Sequence, residues 1–345
     1  MKGARPIIAI TMGDPAGIGP EIVAKALARR EAYKLARPLV VGDAQVMRQG
    51  TEIAGVDLNV RAIARVEEAA FESGGMDVLD LRNIDVTHLE VGKVSASAGN
   101  AAFEAIEKAI ELALGKRVDA TVTGPIHKEA LNAAGHKYAG HTEIFAHYTR
   151  TTDYAMLLIY GDLRVIHVTT HVPLQKVSDL ITKARVLRVI ELADAACRTF
   201  GVQDPRIAVA GLNPHASDGG LFGREEQDEI MPAVEAARAA GIRVEGPLPP
   251  DTLFPQAMGG WFDICVAMYH DQGHIPLKMA GFRWDRASGR WESVNGVNIT
   301  LGLPVIRTSV DHGTAFDIAG KGIASPDSMV HAIEYAVRLA RERCT

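Results

Sequence analysis

Short apolar runs alternate with amphipathic stretches along this chain. PIIAIT (6–11) reads as a buried strand. A glycine loop follows, then a helix opening near Pro20 and Glu21 and running through IVAKALARR, with proline and an acidic residue in its first turn as start signals. PLVVG (38–42) is a second strand, and weaker ones fall near NVRAI and MDVLDL. Between Asn100 and Gly115 the apolar positions Phe103, Ile106, Ile110 and Leu114 form one helical stripe that ends in a glycine stop. DATVTG (119–124) follows as a strand. The alternation continues with a strand over 164–171, a helix over 178–200 closed by Gly201, a strand over 206–212, a helix over 224–240 stopped by Gly241, and a strand over 262–269. A last helix starts at Ser325 and Pro326. Apolar strands alternating with helices predict βαβ units and a largely parallel sheet. No repeat and no proline- or glycine-rich linker interrupts the series, and 345 residues are enough for two lobes.

Three of the apolar runs stop at a histidine: RVIHVTTH at His171, RIAVAGLNPH at His215 and FDICVAMYHD at His270. In open α/β sheets ligands bind beyond the carboxyl ends of the strands. One such histidine is most simply a packing or hydrogen-bonding residue. Three in matching contexts, with Asp271 beside the last, point instead to a metal site. Neutral imidazole binds zinc, iron, cobalt or nickel, and three protein ligands leave a position open for water or substrate. No compact HExxH or CxxC motif is present, so the ligands would come from separate strands.

Composition narrows the partners. The net charge of −5 (37 basic against 42 acidic residues) gives no general attraction to nucleic acid or to an anionic membrane, so any anion recognition is local. Cys197, Cys265 and Cys344 are too few and too scattered for a disulfide framework. The apolar segment before Gly13 is too short for a secretory signal, and no run reaches the length of a membrane span. A cytoplasmic enzyme is the expectation.

Other motifs bring donors to the predicted strand ends. Gly13-Asp14-Pro-Ala-Gly17-Ile-Gly19 joins a strand to a helix and superficially suggests phosphate binding, yet it is neither GxGxxG nor GxxxxGK; the alternative is a tight turn for close helix-to-sheet packing. Thr123-Gly124-Pro125-Ile126-His127-Lys128 follows another strand, either at a site or as a solvated helix start. In Gly140-His141-Thr142-Glu143, the threonine could also be a helix cap. Lys278, Asn298 and Arg307 lie in a dense polar segment over 267–314, and lysine and arginine there suit a phosphate or carboxylate.

Together ITMGDPAGIGPE, TGPIHK, GHTE, TTHVPL, GLNPHA, PPDTLF, MYHDQG and GVNITLGLPVIRTSVDHGT resemble the 4-hydroxythreonine-4-phosphate dehydrogenase family of pyridoxal phosphate biosynthesis, over essentially the whole chain. The resemblance implies a two-lobed α/β/α fold like the isocitrate and isopropylmalate dehydrogenases. One lobe, residues 1–130 with 302–345, would contribute to binding NAD or NADP in a non-Rossmann manner; the other, 131–301, would carry the metal site and dimer interface. It implies a homodimer with a shared active site, a divalent metal (zinc, magnesium, manganese or cobalt) held by His171, His215 and His270, the last from the partner subunit, and substrate contacts at His141, Thr142, Lys278, Asn298 and Arg307. Gly13, Asp14, Thr123 and Gly124 are the candidate dinucleotide contacts. Asp251, Asp271 and Lys278 are the candidates for catalysis.

The implied chemistry is oxidation of the 3-hydroxyl of a 4-phosphorylated four-carbon hydroxy acid, followed by decarboxylation of the resulting β-keto acid. 4-Phosphohydroxy-L-threonine is the first expected substrate. DYAMLLIY, VIHVTTH and DQGHIPLK look more like the branch acting on 4-phospho-D-threonate and 4-phospho-D-erythronate, and a cis-dihydrodiol is a third candidate. A metal-dependent hydrolase or a silent metal- or phosphate-binding protein would use the same residues differently. One departure stands out: RWDRASGRWESVN (283–295) separates Lys278 from Asn298 where the biosynthetic members have a very short link. Its simplest reading is a solvent loop.

Overall fold

A computed structural model describes residues 5–286 and 290–343. The chain forms two compact units, one running to residue 152 and resuming at 303, the other Asp153–Gly302. Residues 131–152, expected in the second lobe, therefore pack with the first unit.

The chain opens in the first unit with Ile7–Thr11 (β1), Arg37–Gly42 (β2), Asn59–Ile63 (β3), Gly75–Asp80 (β4) and Ala120–Thr123 (β5). The second unit carries Ala155–Tyr160 (β6), Leu163–His167 (β7), Ile207–Ala210 (β8), Val244–Leu248 (β9), Ile264–Ala267 (β10), Phe282–Asp285 (β11), Arg290–Val294 (β12) and Val297–Leu301 (β13). Arg307–Val310 (β14) then rejoins the first unit. The strands of the first unit lie in the order β3-β4-β2-β1-β5-β14, all parallel. In the second unit the order is β13-β6-β7-β10-β8-β9. Here β7, β10, β8 and β9 are parallel, whereas β13–β6 and β6–β7 are antiparallel. The expected α/β class holds, with an antiparallel component that apolar runs alone do not reveal.

Each unit packs its own core. In the first, Phe103, Ile106 and Ile110 of the helix Ala96–Leu114 are buried against Leu39, Val41 and Leu79, as the stripe requires, while Leu114 at the helix end is exposed. In the second, Leu158, Val165, Ala208 and Cys265 bury with Leu253 and Phe254 of the helix Pro250–Met258. Cys197 and Cys265 are buried free thiols. Among the described residues no helix is long and apolar enough to cross a membrane.

Element ends explain several differences from the sequence reading. The 178–200 helix divides into Val177–Leu180 and Lys183–Thr199, the second capped by the Thr182 hydroxyl. The 224–240 helix begins as a π-helical turn, Glu226–Ile230, before Met231–Ala239. The 283–295 segment is not a loop: β11 and β12 pair as antiparallel strands, and residues 287–289 lie outside the described residues.

Candidate active site

In the second unit, the parallel strands β7, β10 and β8 end side by side, and each continues into a segment carrying one of the three histidines. The strands are shorter than their apolar runs, so His171, His215 and His270 lie beyond their ends rather than on them. His270 is the first residue of the helix His270–Gly281. His171 lies in the turn after β7, and His215 in a turn after β8.

His171 and His270 face each other, with ring centroids 5.7 Å apart. They line a cavity of about 310 Å³ with Thr170, Leu174, Tyr269 and Asp271. The Asp271 carboxylate lies 2.7 Å from His270 Nδ1, and the Asp251 carboxylate 3.5 Å from His215 Nδ1. Imidazoles backed by carboxylates suit a divalent cation, the carboxylate fixing the ring and raising its basicity. His171, His270 and Asp271 share the cavity, while His215 pairs with Asp251. Among the described residues no three His, Cys, Asp or Glu side chains come together as a metal-holding group. The donor chemistry of these residues fits a divalent cation.

Two further histidines belong to this edge. His274 stacks on His270 at 3.6 Å between centroids, its rings nearly parallel, and His167 lies 4.7 Å from His274. His274 Nδ1 donates to the His270 carbonyl at 2.9 Å and His167 Nδ1 donates to the Met156 carbonyl at 3.1 Å. A ring that donates from Nδ1 keeps Nε2 as an acceptor. His167 Nε2 is buried and has no hydrogen-bond partner. A Cβ at residue 273 would approach it to 2.4 Å, so only glycine fits there. Burial holds both imidazoles below the ordinary histidine range, His167 at about 4. Gln272 joins the strand ends: its side chain accepts from Met268 N and donates to Gly211 O, both at 2.7 Å. The readable signal was the i, i+4 spacing of His167 with His171 and of His270 with His274, which stacks rings on one helical face only after position 270.

The first unit builds a separate polar centre. Arg307, the first residue of β14, is 2% exposed. Its guanidinium donates to Thr123 Oγ1 at 2.9 Å and to Thr142 Oγ1 at 3.4 Å, and lies 5.8 Å from the centre of the Phe145 ring. Burial pulls it down to about 9, against the opposing pull of Glu143. Burial and the neighbouring Arg307 charge likewise hold His141 well below the ordinary histidine range, and His141 Nε2 is buried without a partner. Residues 141–148 form a helix whose cap position is Gly140, so Thr142 is not a cap and its hydroxyl is turned to Arg307. The alternative role of His127 does appear: it caps the helix Lys128–Ala133 through Ala130 N. Lys278 and Asn298 lie in the second unit. Lys278 Nζ is 4.5 Å from the centre of the Phe282 ring, and Asn298 Oδ1 on β13 is buried without a hydrogen-bond partner.

The candidate dinucleotide contacts are packed against one another. Gly13 has φ +76°, and a Cβ there would lie 2.6 Å from Pro125 O; at Gly124 it would meet Thr11 O at 2.8 Å. Asp14 N donates to Pro125 O at 2.8 Å, so the two loops meet backbone to backbone. Asp14 is fully buried; one carboxylate oxygen accepts from Ala16 N at 2.9 Å and the other has no partner. Burial raises its pKa from 3.8 to about 6. Between those values the folded chain keeps a proton that the unfolded chain has lost, so stability falls as pH rises through the window. Above it the penalty is fully present, about 3 kcal/mol. Asp14→Asn is expected to be more stable than the parent at a pH of about 7.5 and to flatten the slope between pH about 4 and 6. Equal urea midpoints for the two proteins at the higher pH would refute this.

The model of the family described as pyridoxal phosphate biosynthetic protein PdxA matches residues 34–336. The chain belongs to the PdxA family. It is 50% identical to the D-threonate 4-phosphate dehydrogenase of Cupriavidus necator, covering 99% of this chain and 100% of that one. It is 51% identical to the enzyme of the same name from Salmonella typhimurium, over 96% of this chain and 98% of the relative. A crystal structure of the 4-hydroxythreonine-4-phosphate dehydrogenase of Klebsiella pneumoniae aligns with a TM-score of 0.83 at 48% identity, covering 99% of both chains. At the level of fold alone, the chain also resembles a β-decarboxylating dehydrogenase from Thermococcus kodakarensis, with a TM-score of 0.52 at 16% identity over 96% of this chain and 83% of that one. For this PdxA family member, the expected likeness to decarboxylating dehydrogenases therefore holds in the fold.

Proposed function

We propose that this protein is a dehydrogenase that uses NAD or NADP and a divalent metal to oxidise the 3-hydroxyl of D-threonate 4-phosphate, with loss of the carboxylate as carbon dioxide. The observation that carries the reading is full-length identity of 50–51% to enzymes named for that substrate. It reverses the order expected from the motifs, which placed 4-phosphohydroxy-L-threonine first. That second substrate is kept by the Klebsiella pneumoniae structure at 48% identity. The relatives described above are dehydrogenases, and none supports the hydrolase alternative.

The residues have chemistry to match. A buried guanidinium with two hydroxyls around it binds a phosphate oxygen as a preformed fork. We assign that role to Arg307 with Thr142 and His141. Asn298 Oδ1 is a buried acceptor lacking a donor, a need that a substrate hydroxyl meets. Lys278 contributes a positive charge for a carboxylate. A divalent cation, when bound, would favour loss of the proton of the 3-hydroxyl, and an oxidised nicotinamide would accept the hydride from C3. A ketone placed β to the carboxylate lets the C–C bonding pair move into an enol as carbon dioxide leaves, and protonation at C2 gives a three-carbon hydroxyketone phosphate. Asp251 and Asp271, paired with His215 and His270, are placed to orient the rings or pass a proton.

We further propose that the protein acts as a homodimer. The helix beginning at His270 leaves Ile275 and Met279 exposed on one face, and β11 leaves Trp284 exposed. An apolar stripe on the helix that opens with His270 fits a second copy that covers the stripe and contributes to the site.

Initial rates of NADH and NADPH formation with D-threonate 4-phosphate, D-erythronate 4-phosphate, 4-phosphohydroxy-L-threonine and a cis-dihydrodiol test the reading. The D-threonate compound is expected to give the highest kcat/KM. Turnover of the dihydrodiol alone would overturn it.

A further inference from the structure

We infer that Glu226 is the positioning residue that holds His215 in a left-handed turn. Six consecutive residues after β8 have positive φ: His215 54°, Ala216 53°, Ser217 70°, Asp218 47°, Gly219 76° and Gly220 101°. Four of them carry a Cβ. L-residues enter this region at a cost, routinely only one at a time, and a run of them persists only where the surroundings over-determine it. The strain falls at the histidine proposed as a metal ligand.

The surroundings that fix the turn converge on Asn213. Glu226 is 3% exposed. One of its carboxylate oxygens accepts from Asn213 N at 2.7 Å and the other from Asn213 Nδ2 at 2.9 Å, while Glu225 accepts from the same amide nitrogen at 2.8 Å. Two successive carboxylates reach one asparagine because they open the π-helical turn, a local widening that recurs at functional sites. Ala216 N then bonds back to Asn213 O at 3.1 Å, so fixing Asn213 fixes the first step of the turn. The far side is held separately. The buried Ser217 hydroxyl donates to Gly223 O, and Gln227 Nε2 donates to Gly219 O at 2.8 Å. A Cβ at Gly223 would lie 2.5 Å from Asn213 Nδ2, so the chain closes tightly over the clamp. His215 itself is exposed and touches Asp251 only at its edge, so its direction is set by backbone and not by side-chain packing.

Glu226 acts on the turn through its two bonds to Asn213. The metal part of the argument rests on the proposed reading of His215. Glu226→Gln replaces one acceptor by a second donor facing the Asn213 amides. In the metal-free full-length protein, hydrogen exchange of the amides over 216–221 is expected to speed up by about tenfold or more, while the core strands stay protected. Titration calorimetry with Mn2+ alone is expected to show affinity lowered by about 10- to 100-fold. Asn213→Ala, which keeps the backbone donor and loses the side-chain one, should move both readouts in the same direction by less; it decides the matter if Glu226→Gln does not fold. Unchanged exchange over 216–221 in the folded variant overturns the inference. Unchanged Mn2+ affinity in Glu226→Gln also overturns it if His215→Ala abolishes binding. If His215→Ala itself binds Mn2+ normally, the metal reading falls, and the exchange result alone decides whether Glu226 holds the turn.

Discussion

Arg307→Lys is expected to lower kcat/KM for D-threonate 4-phosphate by about 100- to 1,000-fold at a pH of about 8.5, and to recover part of that loss on acidification. Arginine at this position presents a planar fork braced by Thr123 and Thr142; a lysine offers one point charge on a flexible stem. Breaking a buried, hydrogen-bonded charge contact costs about 2–5 kcal/mol, and each 1.4 kcal/mol is tenfold in rate or affinity. The pH dependence comes from the same burial. Arg307 is brought from 12.5 to about 9 and so stays charged through neutrality. A lysine suffering the same penalty would fall from about 10.4 to roughly 7. Only its protonated form attracts phosphate, so activity retained near pH 6 should fade as the pH rises through 7. A pH profile of kcat/KM for both proteins checks this. A variant within threefold of the parent at the alkaline end would remove Arg307 from the phosphate site.

His171→Ala and His270→Ala are each expected to lower turnover by at least about 1,000-fold, because the divalent cation we propose they hold would supply several kcal/mol of charge stabilisation. The more telling measurement mixes the two inactive proteins after reversible dissociation. If each site takes His171 from one chain and His270 from another, a mixed dimer holds one site with both lesions and one with neither. Random pairing makes half the dimers mixed, so activity should return to about one quarter of the parent's. The structure makes the opposite outcome concrete, since His171 and His270 also face each other at 5.7 Å within one chain. If that pair acts within its own subunit, mixing restores nothing.

What could be read from the chain followed from signals of short range. β7, β8 and β10 are buried on both faces, so they appear as uninterrupted apolar runs, and their order along the edge puts the three histidine segments side by side. The antiparallel pairing of β6 with β7 was not legible, because a strand buried on both faces has the same composition whichever way it runs. The strand end after β7 is not marked in the sequence because Val and Thr, both strand-favouring, continue through VTTH (168–171), and Val168 N and Thr169 N still bond to Ala267 O and Met268 O before the chain turns. His167 and His274 carry no sequence signal of their own because their use is structural: each donates to a carbonyl close in the chain, and their tilted ring contact joins segments about a hundred residues apart. The left-handed turn at His215 was invisible because only two of its six residues are glycine. Arg307, Thr142 and His141 were named from motifs. That one guanidinium would sit between the hydroxyls of Thr123 and Thr142 depends on β5 and β14 being neighbours, which is a matter of topology.

The antiparallel pair of β11 and β12 leaves and re-enters the fold through a narrow neck. Phe282 pairs with Val294 at its base, and Asn295 N bonds to Gly281 O at 3.3 Å. A Cβ at Gly281 would lie 2.4 Å from Asn295 O, so the two crossing points of the neck are in direct backbone contact. Length beyond such a closed base is mechanically silent. Residues can be gained or lost beyond it without changing the span that Lys278 and Asn298 must bridge. An inserted arm and a very short link are thus interchangeable solutions to one boundary condition, with the residues on either side keeping their places.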